Sequence, residues 1–321
     1  MFRKFLVLVS AATLSVAAHA ADRKEVKLDG SSTVYPISEA IAEEFGKVKA
    51  NRNIRVTVGV SGTGGGFKKF IKKEIDIGGA SRPVKEKEAK PLAQKNIKFI
   101  ELPVAFDGLS VIINKKNTWV DSLSIAELNA IWKPGSTVKK WSDIRPNWPN
   151  KAIKLYGPGG DSGTFEYFTK KVNGKAMVSR ADYTASEDDN VLVYGISGDK
   201  YSLGYFGYGY YAANKSKLKL VPISSEKTGG KAILPSPKTI ESGAYKPLSR
   251  PVFIYVNRDS AKKPEVKKFV DFYLDNAPKL SAEVGYVPFP KSTYTKVKKR
   301  WNALETGSAY TGNKKIKNVL K

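Results

Sequence analysis

Three short segments of this chain combine hydroxyl and glycine residues in a way that suits the holding of an anion. They are Gly30-Ser31-Ser32-Thr33, Ser61-Gly62-Thr63-Gly64-Gly65-Gly66 and Gly159-Gly160-Asp161-Ser162-Gly163-Thr164. Each lies between a short apolar run and a helical pattern. A helix N-terminus carries unpaired N–H groups and roughly half a positive charge. Glycine lets an anion approach those N–H groups, and Ser or Thr adds a hydroxyl donor. One such turn is ordinary punctuation, since Ser and Thr are the usual N-caps and Gly the usual turn residue. Three of them make a site only if the fold brings them together.

Much other chemistry is excluded. The chain has no cysteine and one histidine, His19. His19 falls in a stretch that reads as an export signal: Arg3 and Lys4, the apolar run Phe5–Ala18, then Ala18-His19-Ala20 as an A-x-A cleavage site. Cleavage after Ala20 leaves a chain with neither Cys nor His. Ser-His-Asp and Cys-His triads then cannot be assembled. Zinc, haem and iron–sulfur sites built on those residues are excluded for the same reason, as are disulfides. The apolar run is shorter than the roughly 20 residues a spanning helix needs. There is no G-x-x-x-x-G-K-[ST] loop and no dinucleotide-type G-x-G-x-x-G. Carboxylate-assisted hydrolysis or a Mg²⁺ or Ca²⁺ site survives this test, because 30 acidic residues are present. No nucleophile paired with a base is evident, however, and no cofactor or metal site is expected. The residues suit holding an oxyanion without transforming it.

The elements that must position these turns follow an α/β alternation. Val26–Leu28 reads as a strand, followed by a helix with Ile37, Ala40, Ile41 and Phe45 on one face and Gly46 as its stop. Ile54–Val60 alternates as a strand and leads into Phe67, Phe70 and Ile71 at helical spacing. Ile75–Ala80 and Ile97–Val104 read as further strands, and Asp107-Gly108 separates Leu102–Phe106 from a second apolar run, Leu109–Asn114. Ser124 and Glu127 form a capping box for a helix carrying Leu128, Ile131 and Trp132. Ile153–Tyr156 is a strand, and the helix after the third turn carries Phe165, Phe168 and Val172. Val252–Val256 is a strand, and Pro264 opens a helix with Val266, Phe269, Val270 and Tyr273 inward. The aromatic stretch Tyr201–Ala213 reads as packing or strand pairing. A length of 321 residues suggests two domains at roughly 150 residues each.

Lys and Arg number 55 against 30 Asp and Glu, a formal charge of +25. That balance points to an anionic partner, although a solvated Lys-rich surface explains most individual lysines. Lys298-Lys299-Arg300 and Lys314-Lys315 would suit a polyanion. The export signal makes nucleic acid a poor primary partner.

The chain resembles the secreted phosphate-binding proteins of bacterial phosphate ABC transporters, the PstS type. The likeness rests on Gly30-Ser31-Ser32-Thr33-Val34-Tyr35-Pro36, Ser61-Gly62-Thr63-Gly64-Gly65-Gly66, Gly78-Gly79-Ala80-Ser81-Arg82-Pro83 and Asp161-Ser162-Gly163-Thr164-Phe165, and on the hinge-like segments Leu102–Gly108 and Pro247–Val256. It implies an α/β periplasmic binding protein type II fold, with lobe 1 at 21–105 plus 252–321 and lobe 2 at 106–251. It further implies a periplasmic monomer without cofactor, which captures phosphate by lobe closure and delivers it to a transmembrane permease. Carried onto this chain, the phosphate-binding residues are Ser32, Thr33, Thr63, Gly64, Ser81, Arg82, Ser162, Gly163 and Thr164. Arg82 matches the branch with Ser-Arg-Pro after the third strand. The best-described branch has Ser-Asp there and an Arg just before the Ser-Gly-Thr turn, a place occupied here by Pro158. A carboxylate can accept the proton of HPO₄²⁻, whereas sulfate has none to give and is repelled. With no Asp at position 82, Asp161 and Asp107 are the candidate acceptors. Sulfate or molybdate is the alternative ligand.

Overall fold

The computed structural model describes residues 24–309 apart from Ser32, Asp161 and Glu187. The expected export signal, 1–20, and the Lys314-Lys315 pair therefore lie outside the described residues. The first strands, β1 (Lys24–Gly30), β2 (Ile54–Val60) and β3 (Ile77–Ala80), are parallel with β1 central. Each is followed by a helix: α1 (Tyr35–Lys47), α2 (Gly62–Ile71) and α3 (Glu86–Gln94). Helix α1 forms because Ile37, Ile41 and Phe45 recur at helical spacing, and all three are fully buried. Phe67 and Phe70 of α2 pack with Phe99, Phe253 and Tyr255. Parallel strands with helical crossovers end at one edge, so the turns after them stand side by side. Gly30 accordingly pairs with Val60 on one side and Gly79 on the other.

Strand β4 (Phe99–Asn114) leaves this half of the molecule and enters the other, and it is buried along its whole length. Asp107-Gly108, which the sequence suggests as a break, lies within the strand. The Asp107 carboxylate is tolerated there because Arg250 pairs with it at 3.1 Å. Gly108 leaves room for Ile240, whose side chain would meet any Cβ placed there. The second lobe contains β5 (Leu123–Ser124), α4 (Ile125–Trp132), β6 (Lys154–Gly157), α5 (Gly163–Val172), β7 (Thr184–Ala185) and α6 (Asp189–Gly198). It continues with β8 (Ser202–Gly207), α7 (Tyr208–Asn214), β9 (Leu218–Leu220), β10 (Ile223–Ser224) and α8 (Pro237–Glu241). The Ser124–Glu127 capping box is present: the Glu127 N–H donates to the Ser124 hydroxyl, and the Ser124 N–H donates to the Glu127 carboxylate. The aromatic stretch resolves into strand β8 and helix α7. Tyr205 of β8 stacks on Phe168 of α5, with ring centroids 3.6 Å apart.

The chain returns through β11 (Ser249–Asn257), antiparallel to β4 from Ser249↔Gly108 to Asn257↔Phe99, with a register shift between Val252 and Phe253. It ends, among the described residues, with α9 (Pro264–Glu283) and α10 (Lys291–Asn302). Val266, Phe269, Val270 and Tyr273 of α9 all face inward. Among the described residues, the sheet runs β2-β1-β3-β11-β4-β8-β6-β7, with β9 on β4. The result is two α/β lobes joined by two adjacent crossing strands. No described helix is long and apolar enough to cross a membrane.

Candidate anion-binding site

A cavity of about 670 Å³ lies where the lobes meet. Lobe 1 contributes Thr33, Tyr35, Pro36 and Val60, the crossing contributes Asp107, and lobe 2 contributes Ser162, Gly163, Thr164, Asp189, Gly207 and Tyr210. Val284, Gly285 and Tyr286, from the connection between α9 and α10, close its back.

The first turn is fixed by main-chain geometry. The Ser31 N–H donates to Gly79 at 2.9 Å, and the Ser31 carbonyl accepts from Val34 and Tyr35. Gly30 has φ 147°, and a Cβ there would overlap the Gly79 main chain, so only glycine fits. Thr33 is buried. Its hydroxyl oxygen accepts from Arg250 Nη2 at 2.8 Å and its carbonyl accepts from the Tyr286 hydroxyl at 2.6 Å. Ser32 lies outside the described residues.

The second turn opens α2. Ser61 does not cap that helix with its side chain; its hydroxyl donates to Asp29, whose other oxygen takes Lys69 Nζ at 2.6 Å. A Cβ on Gly66 would come within 2.7 Å of Gly30 Cα, which explains the small residues where α2 presses on the end of β1. Thr63 Oγ1 accepts from the Ser81 N–H at 3.1 Å and lies 3.2 Å from the Ser81 hydroxyl. Thr63, Gly64 and Ser81 thus share the strand-end row with Thr33 but do not line the cavity.

Arg82, one of the phosphate-binding residues that the resemblance implies, has a partner of its own. It forks onto Glu88 at 2.8 and 2.6 Å and lies over the Phe67 ring. Burial pushes the Glu88 carboxyl up. The hydrogen bond and charge of Arg82, together with the Lys85 backbone, more than offset this and hold it below the usual range.

Across the cleft, Ser162 caps α5, its oxygen accepting from the N–H groups of Thr164 at 3.1 Å and Phe165 at 3.4 Å. Gly163 and Thr164 begin the first turn of that helix, where the N–H groups form the positive end of the helix dipole. Asp161 lies outside the described residues.

Asp107 is 4% exposed and faces Arg250. Burial pushes its carboxyl up, and Arg250 only partly counters this. Arg250 itself stacks on the Tyr167 ring at 3.7 Å. Two lysines outside the cavity lining, Lys85 and Lys171, stand near other cations. Arg82, ahead of burial and Lys170, lowers the Lys85 pKa; burial, followed by Lys227, Arg250 and Lys170, lowers that of Lys171.

Sequence reasoning missed Arg250, Tyr167, Tyr286 and Asp189. A signal for the first existed: Asp107 and Arg250 are lone opposite charges in two otherwise apolar hinge segments.

The fold and this cleft define a two-lobe solute-binding protein. A model of the PBP superfamily domain matches residues 15–277. Protein SphX of Synechococcus elongatus is 48% identical over 309 residues, 96% of this chain and 90% of its own. The phosphate-binding protein PstS of Staphylococcus saprophyticus is 42% identical over 272 residues, 84% of this chain and 82% of its own. A solved structure described as a possible phosphate binding protein from Planctomyces limnophilus is 50% identical, with a TM-score of 0.81, covering 87% of this chain and 98% of that one. An ABC-type phosphate transport receptor from Vibrio cholerae shares the fold at 23% identity and a TM-score of 0.61, covering 83% of this chain and all of that one. The chain belongs to the PBP superfamily and, within it, to the PstS-type phosphate-binding proteins.

Proposed function

We propose that this protein binds inorganic phosphate between its lobes outside the cytoplasm and hands it to the permease of an ABC transporter. The observation that carries this reading is the convergence of Thr33, Asp107 and the Ser162-Gly163-Thr164 helix start on one cavity. Hydroxyls, a helix N-terminus and a buried carboxylate together match a partly protonated oxyanion, with Asp107 as acceptor for its proton. Asp161 and Ser32 adjoin these residues in sequence and belong to the same proposed set. Thr63, Gly64, Ser81 and Arg82 stand on neighbouring strand ends, and closure of the lobes would bring them toward the ion. The pairing of Ala105 with Val252 and of Phe106 with Pro251 supports a lobe division at 105/106 and 251/252.

The finer points of the reading are a signal cleaved after Ala20, a periplasmic location, a monomeric state and no catalysis. Mass analysis of the exported chain should give Ala21 as its first residue, light scattering should give one copy, and incubation with phosphoesters should release no phosphate. The central test is calorimetry on ligand-stripped protein with phosphate and then sulfate, at pH 6 and pH 8. We expect phosphate to bind at about micromolar or tighter, and sulfate far more weakly. Failure to bind phosphate overturns the reading, and preferential sulfate binding replaces it with another oxyanion.

A further inference from the structure

Arg250 occupies a singular place. Its Nη2 donates to Thr33 of the first turn, at 2.8 Å, and its Nε donates to Asp107 of the β4 crossing, at 3.1 Å. Its guanidinium lies 3.7 Å from the ring centroid of Tyr167, a residue of α5 in lobe 2. It is itself part of β11, the other crossing strand. One side chain therefore touches both lobes and both crossings. Tyr167 in turn donates its hydroxyl to the carbonyls of Pro247 at 2.5 Å and Ser249 at 3.2 Å, which holds the ring flat beneath the guanidinium.

Only a planar fork meets these demands together. Guanidinium carries five N–H donors in fixed directions and stacks on aromatic faces, whereas an ammonium is a point charge that does neither. Arg250 also constrains what Thr33 can do. With the Thr33 oxygen accepting from Nη2, the hydroxyl's own proton is left to donate elsewhere, and Thr33 lines the cavity.

We propose that Arg250 is a positioning residue for the anion site: clamped by Asp107 and Tyr167, it turns the Thr33 hydroxyl into a donor aimed at the ligand and ties that donor to the lobe 2 wall. This inference rests on the phosphate reading above and extends it to a residue outside the expected binding set. The two arginines have different neighbours: Arg82 is forked onto Glu88 within lobe 1, and Arg250 stands at the junction.

The test is a double-mutant cycle of Arg250→Lys with Thr33→Val, reading phosphate dissociation constants by calorimetry, with thermal unfolding to establish that each variant folds. If Arg250 acts through Thr33, Arg250→Lys weakens phosphate about 10-fold or more alone and about 3-fold or less in the Thr33→Val background, since residues that act through one contact are non-additive. An equal factor in both backgrounds overturns the proposal, because a general structural or field effect would be additive. No effect in either background overturns it as well. Should Arg250→Lys fail to fold, Tyr167→Leu removes the surface under the guanidinium and enters the same cycle with the same two outcomes. Wild-type protein that binds no phosphate refutes the functional reading itself. Wild-type protein that binds phosphate while the cycle is additive refutes only the role of Arg250.

Discussion

The two walls of the cleft reach the same chemistry by different routes. On lobe 1, three parallel strands end side by side, and the hydroxyls at their ends are already engaged. Ser61 is held by Asp29, Thr63 lies against Ser81, and Thr33 accepts from Arg250. On lobe 2, a single strand, β6, leads to one helix start, where Ser162 caps α5 and Gly163 and Thr164 follow. Lobe 1 thus fixes its donors by a side-chain network and by tight glycine packing, while lobe 2 relies on main-chain N–H groups and a helix dipole. A network is sensitive to any member. A helix start is sensitive mainly to its cap.

The largest effect that separates the walls should come from glycine packing on lobe 1. Gly30→Ala places a Cβ against the Gly79 main chain at a φ that L-residues avoid. We expect a loss of about 3 kcal/mol or more, read by urea unfolding. Gly160→Ala on the lobe 2 turn meets open space and should change stability by less than about 1 kcal/mol. Comparable losses at the two sites would erase the contrast.

Binding should divide in the opposite sense. Ser162→Ala removes the cap and a proposed ligand donor, and we expect stability to fall by about 1 kcal/mol and phosphate affinity by about 10-fold or more. Ser61→Ala leaves the buried Asp29 with Lys69 still in place, so affinity should change by only a few fold; isothermal titration of both variants decides. A larger binding loss at Ser61 would move the centre of recognition to lobe 1.

Two of the buried carboxylates, Glu88 and Asp107, give the smallest and most diagnostic contrast, through pH. The pKa of Glu88 in the folded protein is lowered, so its contribution to stability is present above the ordinary Glu value and is lost as pH falls through the folded value. The pKa of Asp107 in the folded protein is raised, so the native state binds its proton more tightly than the unfolded chain does. Stability from that group is fully present below the ordinary Asp value of 3.8 and declines as pH rises toward the folded value. Glu88→Gln should therefore flatten the acid limb of a stability–pH curve measured by urea unfolding of ligand-free protein. Asp107→Asn should flatten the decline above it. Identical curves for the two variants would show that the hinge and the lobe 1 wall do not differ in this way.

Much of this architecture was legible in the sequence because it depends on local pattern. The i, i+4, i+8 spacing of Ile37, Ile41 and Phe45 marks α1, and the Ser124–Glu127 pair marks the start of α4. The third turn could be read as a helix start because its Ser162 precedes Phe165 and Phe168 at helical spacing. What escaped depended on distance along the chain. Asp107 and Arg250 are 143 residues apart; Asp107 stands out as a candidate acceptor, but nothing local links Arg250 to it. Asp107-Gly108 read as a break because a charge and a glycine in an apolar run usually end a strand. Here Arg250 supplies the charge balance and Ile240 fills the space left by Gly108, so β4 continues. Arg82 was conspicuous for the same local reason, its motif, while Glu88, six residues on, already satisfies its fork.

The two crossings are hydrogen-bonded to each other along nine paired positions, so they behave as a ribbon and not as two separate cords. Strands paired in this way bend together, like the leaves of a spring. Any flexure of such a joint is shared by both crossings, and its natural crease is the register shift between Val252 and Phe253. Arg250 sits two residues from that crease, where a small flexure is felt by both jaws at once.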